Sequence, residues 1–142
     1  MSSIIKFFVA PDDEVAAGAA EEGPGARFEP ITYGNFDVWS TLEELESILT
    51  GRDLEEVLDQ GGPEIISGAG EPMLLRVPTV LVEALSTADS ETISGAAEQW
   101  LSLRAGEGEA LDEELAHEIV SELAATAARA QRTTQSLYCW VA

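Results

Sequence analysis

The residues with the clearest claim to chemistry are one histidine, one cysteine and a large excess of carboxylates. His117 is the only histidine, with Glu113 four residues before it and Glu114 three before. Residues at those spacings share a helix face, so the pattern could place metal ligands side by side. A di-metal centre needs a second Glu-x-x-His pair on another helix, and the sequence has none. With one histidine and no cysteine cluster, a zinc centre is poorly supplied. His117 is therefore expected as a surface residue paired with Glu113 or Glu114. Cys139 could act as a nucleophile with His117 as its base. Within Leu137-Tyr-Cys-Trp-Val141, however, it reads as an inert small hydrophobe. There is no Gly-x-Ser-x-Gly, no Walker loop and no Gly-x-Gly-x-x-Gly between a strand and a helix. With 27 Asp+Glu residues, any two could be named an acid and a base, so the carboxylates define no reaction. No catalytic residue, metal ligand or cofactor is assigned, and an enzyme is not the favoured reading.

The segment Tyr33-Gly-Asn-Phe-Asp-Val-Trp39 is more informative. It gathers three aromatic rings beside Asn35 and Asp37 and leads into an acidic helix. Aromatic anchors rimmed by carboxylates suit a surface for a basic protein partner. The candidate binding residues are Tyr33, Asn35, Asp37, Trp39, Glu43, Glu44 and Glu46. Two alternatives compete with this reading. Phe36 and Trp39 could simply fill the core between sheet and helix. Tyr33, Trp39 and Trp100 could instead line a small-ligand pocket with a carboxylate.

The overall charge favours the basic partner. The 142 residues carry 7 Lys+Arg against 27 Asp+Glu, a net charge of −20, yet 45% of residues are hydrophobic. Such a chain can bury a core and stay strongly anionic outside. Binding to nucleic acid is disfavoured, because phosphate contacts need clustered Lys and Arg. Docking on an anionic membrane is disfavoured for the same reason. The charge is also uneven. Residues 12–59 hold 14 acids, residues 107–122 hold seven with no Lys or Arg, and none follows Glu122. A field of this kind steers a cationic partner. It could also do no more than keep the domain soluble. A single cysteine excludes an intramolecular disulfide. No run approaches the ~20 apolar residues of a membrane span, and no secretory signal is expected at the start. The simplest location is the cytoplasm.

The elements that hold these residues follow from periodicity. Ile4 to Val9 is apolar on both alternating faces, the mark of a central strand. Pro11-Asp-Asp-Glu14 opens a helix with acids at its positive end, and Gly23-Pro-Gly25 stops it. Arg27 to Tyr33 reads as a strand, placed at an edge by Pro30. Thr41-Leu-Glu-Glu44 reads as a capping box, with Leu42, Leu45, Ile48 and Leu49 inward and Gly51 as the stop. Asp53-Leu-Glu-Glu56 repeats the signature, with Leu54, Val57 and Leu58 as the buried stripe. Glu64 to Ser67 and Met73 to Val77 read as a hairpin. Helices follow from Pro78 to about Ala88, and from Asp89 or Ser90 with Ile93, Ala97, Trp100 and Leu101 inward. A long helix runs from about Asp112 to Arg132, its stripe being Leu111, Leu115, Ile119, Leu123 and Ala127. Leu137 to Val141 is again apolar on both faces. The expectation is a single α+β domain over residues 1–142. Its mixed sheet would have strands 4–9 and 136–141 side by side in the middle, packed by several helices.

The order of elements, with Trp39 to Gly51 ending Ile48-Leu-Thr-Gly51, then Gly61-Gly-Pro-Glu-Ile65 and the Pro78 helix, resembles the YfbM-like family of small bacterial proteins of unknown function. That resemblance implies an α+β fold and no established activity. The family tends to carry histidines around its Trp segment. Here that segment has none, so no histidine role is carried over. Some acidic proteins of such families lie beside toxin genes. The reading that follows is an acidic, non-enzymatic binding protein, such as an immunity protein or inhibitor of a basic partner.

Overall fold

The structure is a computed structural model that describes residues 4–142 except 22, 26, 27, 35, 61, 69–71 and 110, and except the side chain of residue 60. Its elements are β1 (Ile4–Ala10), α1 (Asp13–Ala17), β2 (Ile31–Gly34), α2 (Val38–Thr50), α3 (Leu54–Gln60), β3 (Glu64–Ser67), β4 (Met73–Arg76), α4 (Thr79–Thr87), α5 (Ser90–Gly106), α6 (Glu113–Arg132) and β5 (Ser136–Val141). The strands form one sheet in the order β2-β1-β5-β4-β3. This is an α+β architecture, with the two terminal strands paired as their two-faced apolar pattern requires. The sheet is not mixed. All four pairings are antiparallel. The α6 connection returns the chain so that β5 runs against both β1 and β4.

The two sheet faces differ in depth. Ile5, Phe7, Val9, Leu75, Leu137 and Cys139 point to the face covered by helices α2, α4, α5 and α6. Helix α6 reaches this sheet through Ala116, Ile119, Val120, Leu123, Ala127 and Ala130. Its small residues let the backbone come close, and its acids stand at the N-terminal end with Arg129 and Arg132 at the other, as the helix dipole favours. The opposite face is thinner. Phe8, Ala10, Leu74, Tyr138 and Trp140 meet Ala16, Ala19 and Ala20 from α1 and the turn after it, with Val15, Phe28, Ile66 and Ala142 beside them. Trp140 Nε1 donates to the Ala20 carbonyl at 2.8 Å. Gly23, at φ +88°, lies under the same indole, where a Cβ would come within 3.1 Å of the ring. Cys139 is fully buried, and burial pushes its thiol far above the ordinary range. It is a core residue. No described helix is long and apolar enough to cross a membrane.

Two local expectations are corrected, and a third falls outside the described residues. Thr41 does not begin its helix. Asp37 does, accepting from the Ser40 amide at 3.1 Å and from the Ser40 hydroxyl at 2.9 Å. Thr41 instead lies inside the first turn and donates to the Asp37 carbonyl at 2.7 Å. Leu58 is not part of the buried stripe; it is 54% exposed, while Val57 is buried. Gly68-Ala-Gly-Glu-Pro72, read as a tight turn, has its centre outside the described residues, although β3 and β4 pair antiparallel on either side with a register shift between Ile65 and Ser67.

Candidate functional site

Helix α2 buries acidic residues beside its apolar stripe of Leu42 and Leu45. Glu43, Glu44 and Glu46, expected as the rim of an exposed patch, are 8%, 6% and 0% exposed. Each has a different reason for being there. Glu44 meets Arg104, from the last turn of α5, in a two-pronged bond. Nε donates to Oε1 at 2.8 Å, and Nη2 donates to Oε2. Arg104 is itself only 4% exposed. The planar guanidinium matches the carboxylate fork, which is the geometry that makes a buried pair tolerable. Glu44 and the nearby Glu109 and Asp37 hold Arg104 still more firmly in its charged form. Glu46 is tied to Arg52 at 3.1 Å, just past the helix end.

Glu43 has no such cation. It packs against Gly62, whose φ is +88° and where a Cβ would stand 3.3 Å from the Glu43 side chain. Burial raises the Glu43 pKa above the usual glutamate range. The Trp39 side chain pulls the other way, and the charges on Asp37, Glu44 and Glu46 add to the rise.

These groups border a cleft of about 550 Å³, within the range of ligand clefts. Asp37, Ser40, Glu43 and Glu44 come from α2, Leu54 and Leu58 from α3, and Arg104, Glu107, Gly108 and Glu109 from the end of α5 and the connection to α6. Glu109 pins that connection in place. One oxygen accepts from the Asp37 amide at 3.1 Å, and the other lies 3.8 Å from Arg104. The connection forms one wall of the cleft. The lining holds five carboxylates and one guanidinium. Glu44 takes both prongs of that guanidinium, so Asp37, Glu43 and Glu107 leave surplus negative charge. Exposed Leu58 adds an apolar flank.

The expected aromatic-carboxylate patch therefore comes apart into two places. The carboxylates form the cleft and the rings form the core. Trp100 is fully buried and meets Phe36 edge-on at 5.9 Å, Phe36 meets Tyr33 at 6.3 Å, and Tyr33 meets Phe7 at 6.3 Å. Burial and the nearby Glu122 push the Tyr33 phenol well above its ordinary range. Trp39 is half-buried beside Glu43. None of Tyr33, Trp39 and Trp100 lines the cleft, and Trp100 is fully buried. Asn35 lies outside the described residues. Arg104 was missed, because its partner stands 60 positions away. A single Arg in an apolar helix, opposite an excess of Glu, was the available signal.

His117 is also placed differently from expectation. It is half-buried and makes no ion pair with Glu113 or Glu114. No family model, curated protein or solved structure matches the chain.

Proposed function

We propose that the protein is a non-enzymatic acidic binding protein that seats a basic side chain of a cationic protein partner in the α2–α3–α5 cleft, in the manner of an immunity protein or inhibitor. The observation that carries this reading is the unbalanced cleft. Glu43 is a buried carboxylate surrounded by others, and the single guanidinium nearby is already engaged. An incoming ammonium or guanidinium would relieve that repulsion. Leu54 and Leu58 suit the methylene stem of Lys or Arg, which covers apolar surface while its head stays with charge. The net charge of −20 would speed the encounter. A cytoplasmic location, and the likeness to the YfbM-like family, belong to the same proposal; the family likeness contributes no activity.

The test is capture of partners from native lysate on the immobilised protein, at low and raised salt, beside Glu43→Gln/Glu107→Gln. Neither side chain holds Arg104, and Glu107 closes α5 through its backbone N–H, which glutamine keeps. A salt-sensitive protein retained by the natural sequence and lost by the double variant supports the reading. Identical capture by both forms overturns it, and leaves the charge as a solubilising feature only.

A further inference from the structure

A second group of ligand-type atoms lies away from the cleft, on α5 and α6. Glu113 and His117 are one helical turn apart on α6, and Glu98 comes from α5, which packs along it. A carboxylate oxygen from each glutamate and an imidazole nitrogen of His117 all lie within 4.8 Å of one another. Glu98 and Glu113 bring like charges together without a Lys or Arg partner among the described residues, and His117 bridges them by no ion pair. Like charges so close are unfavourable unless a cation joins them. The helix stripe explains Ile119 and Leu123, but it does not explain this convergence.

The geometry points to a divalent metal site in which Glu98, Glu113 and His117 hold one zinc ion, with water completing a tetrahedron. Zinc takes carboxylate oxygen and imidazole nitrogen at about 2.0–2.2 Å, so ligands around it stand about 3–4 Å apart, and the triangle needs only a small rotamer closure. The chemistry discriminates between cations. An imidazole favours zinc over magnesium, which prefers an all-oxygen shell and keeps its waters. His117 also lines a shallow groove of about 380 Å³ with Ser90, Ser94 and Ser121. Glu98 and Glu113 are exposed and His117 is half-buried, so the site is open to solvent, as a water-bearing position requires. The helices supply the rigidity, since Ala97, Ile119 and Val120 beside the ligands are core residues.

The experiment is calorimetric titration of Zn²⁺, and separately of Mg²⁺, into the full chain at moderate salt, with Glu98→Gln and His117→Gln alongside. One equivalent of Zn²⁺ is expected to bind. Each variant should weaken it about tenfold or more, and Mg²⁺ should not compete at equal concentration. Should a variant fold poorly, the imidazole resonances of His117 in the natural sequence give the same answer, by shifting with one equivalent of Zn²⁺. Unchanged affinity in His117→Gln, an unmoved imidazole, or Zn²⁺ and Mg²⁺ binding alike would mean diffuse counterion binding by an acidic surface, and would overturn the assignment.

Discussion

Two carboxylates next to arginines, on opposite sides of the sheet, live under opposite rules. Asp13 opens α1 on the thin face. It accepts from the Tyr138 hydroxyl at 2.7 Å and from Arg76 at 2.7 Å, and Arg76 also reaches Glu64. These contacts, the tyrosine first, hold its pKa below the usual aspartate range. Glu43 lies near Arg104, but Glu44 already occupies both prongs of that guanidinium. Burial and three neighbouring acids drive its pKa up instead. On the thin face the carboxylate is satisfied, so that surface asks for nothing. In the cleft it is not, and the surplus is what a cationic group could use. A net charge of −20 therefore has local meaning only where the few cations are already spoken for.

The largest difference should appear when the arginine partners are removed. Glu44→Ala leaves buried Arg104 with only the longer contact to Glu109 at 3.8 Å, and is expected to cost about 3 kcal/mol in urea unfolding. Replacing the pair together, as Glu44→Leu/Arg104→Met, should recover most of that loss, because well-packed apolar residues often match a buried ion pair. On the thin face, Glu64→Ala removes only a solvent-exposed partner of Arg76 and should cost about 0–1 kcal/mol. Equal costs at the two sites would erase the contrast.

A smaller effect tests the cleft backbone. Gly62→Ala places a Cβ against Glu43 at a φ that L-residues rarely adopt, with an expected loss of about 1–2 kcal/mol. Gly95, in open space within α5, should instead tolerate alanine or gain stability.

The subtlest test is the sign of the pH response. A carboxyl with a raised folded-state pKa binds more protons folded than unfolded between its two pKa values. Its stabilising contribution is thus complete below the ordinary glutamate value and is lost as pH rises through the raised one. Glu43→Gln should therefore raise the Tm at neutral pH, with the gain shrinking as pH falls into the ordinary glutamate range. Asp13 has the opposite sign. Its contribution is present above the ordinary aspartate value and is lost as pH falls through the lowered one. Asp13→Asn should lower the Tm at neutral pH, with the loss shrinking in acid. Thermal melts of both variants across the acid range check the two trends.

Local rules made much of this fold readable. Alternating apolar residues identify β1 and β5 as inner strands, and Asp12, Asp89 and Asp112 each cap the helix that follows. The hairpin Glu64–Ser67 and Met73–Arg76 is legible from its length and its turn residues. What escaped the sequence depends on distant partners. Thr41-Leu-Glu-Glu44 satisfies the capping pattern, but Asp37 caps the helix one turn earlier by accepting from Ser40. Glu44 is taken off the surface by an arginine 60 residues away, which only the packing of α5 on α2 brings to it. Tyr33 and Trp39 looked like anchors because they sit beside acids. In the fold Tyr33 joins the core rings and Trp39 is half-buried, and of the expected patch only Asp37, Glu43 and Glu44, among the described residues, line the cleft. Glu98 could not be joined to His117 without knowing how α5 and α6 pack.

The cleft itself can be probed without knowing the partner. A hexaarginine peptide titrated into isotopically labelled protein would be followed by backbone amide shifts. If the cleft is a cation-seating site, the shifts concentrate at Asp37–Glu44, Leu54–Leu58 and Arg104–Glu109, and Glu43→Gln/Glu107→Gln abolishes them. Shifts spread evenly over all acidic stretches, including the start of α6, and indifferent to the double variant would contradict it.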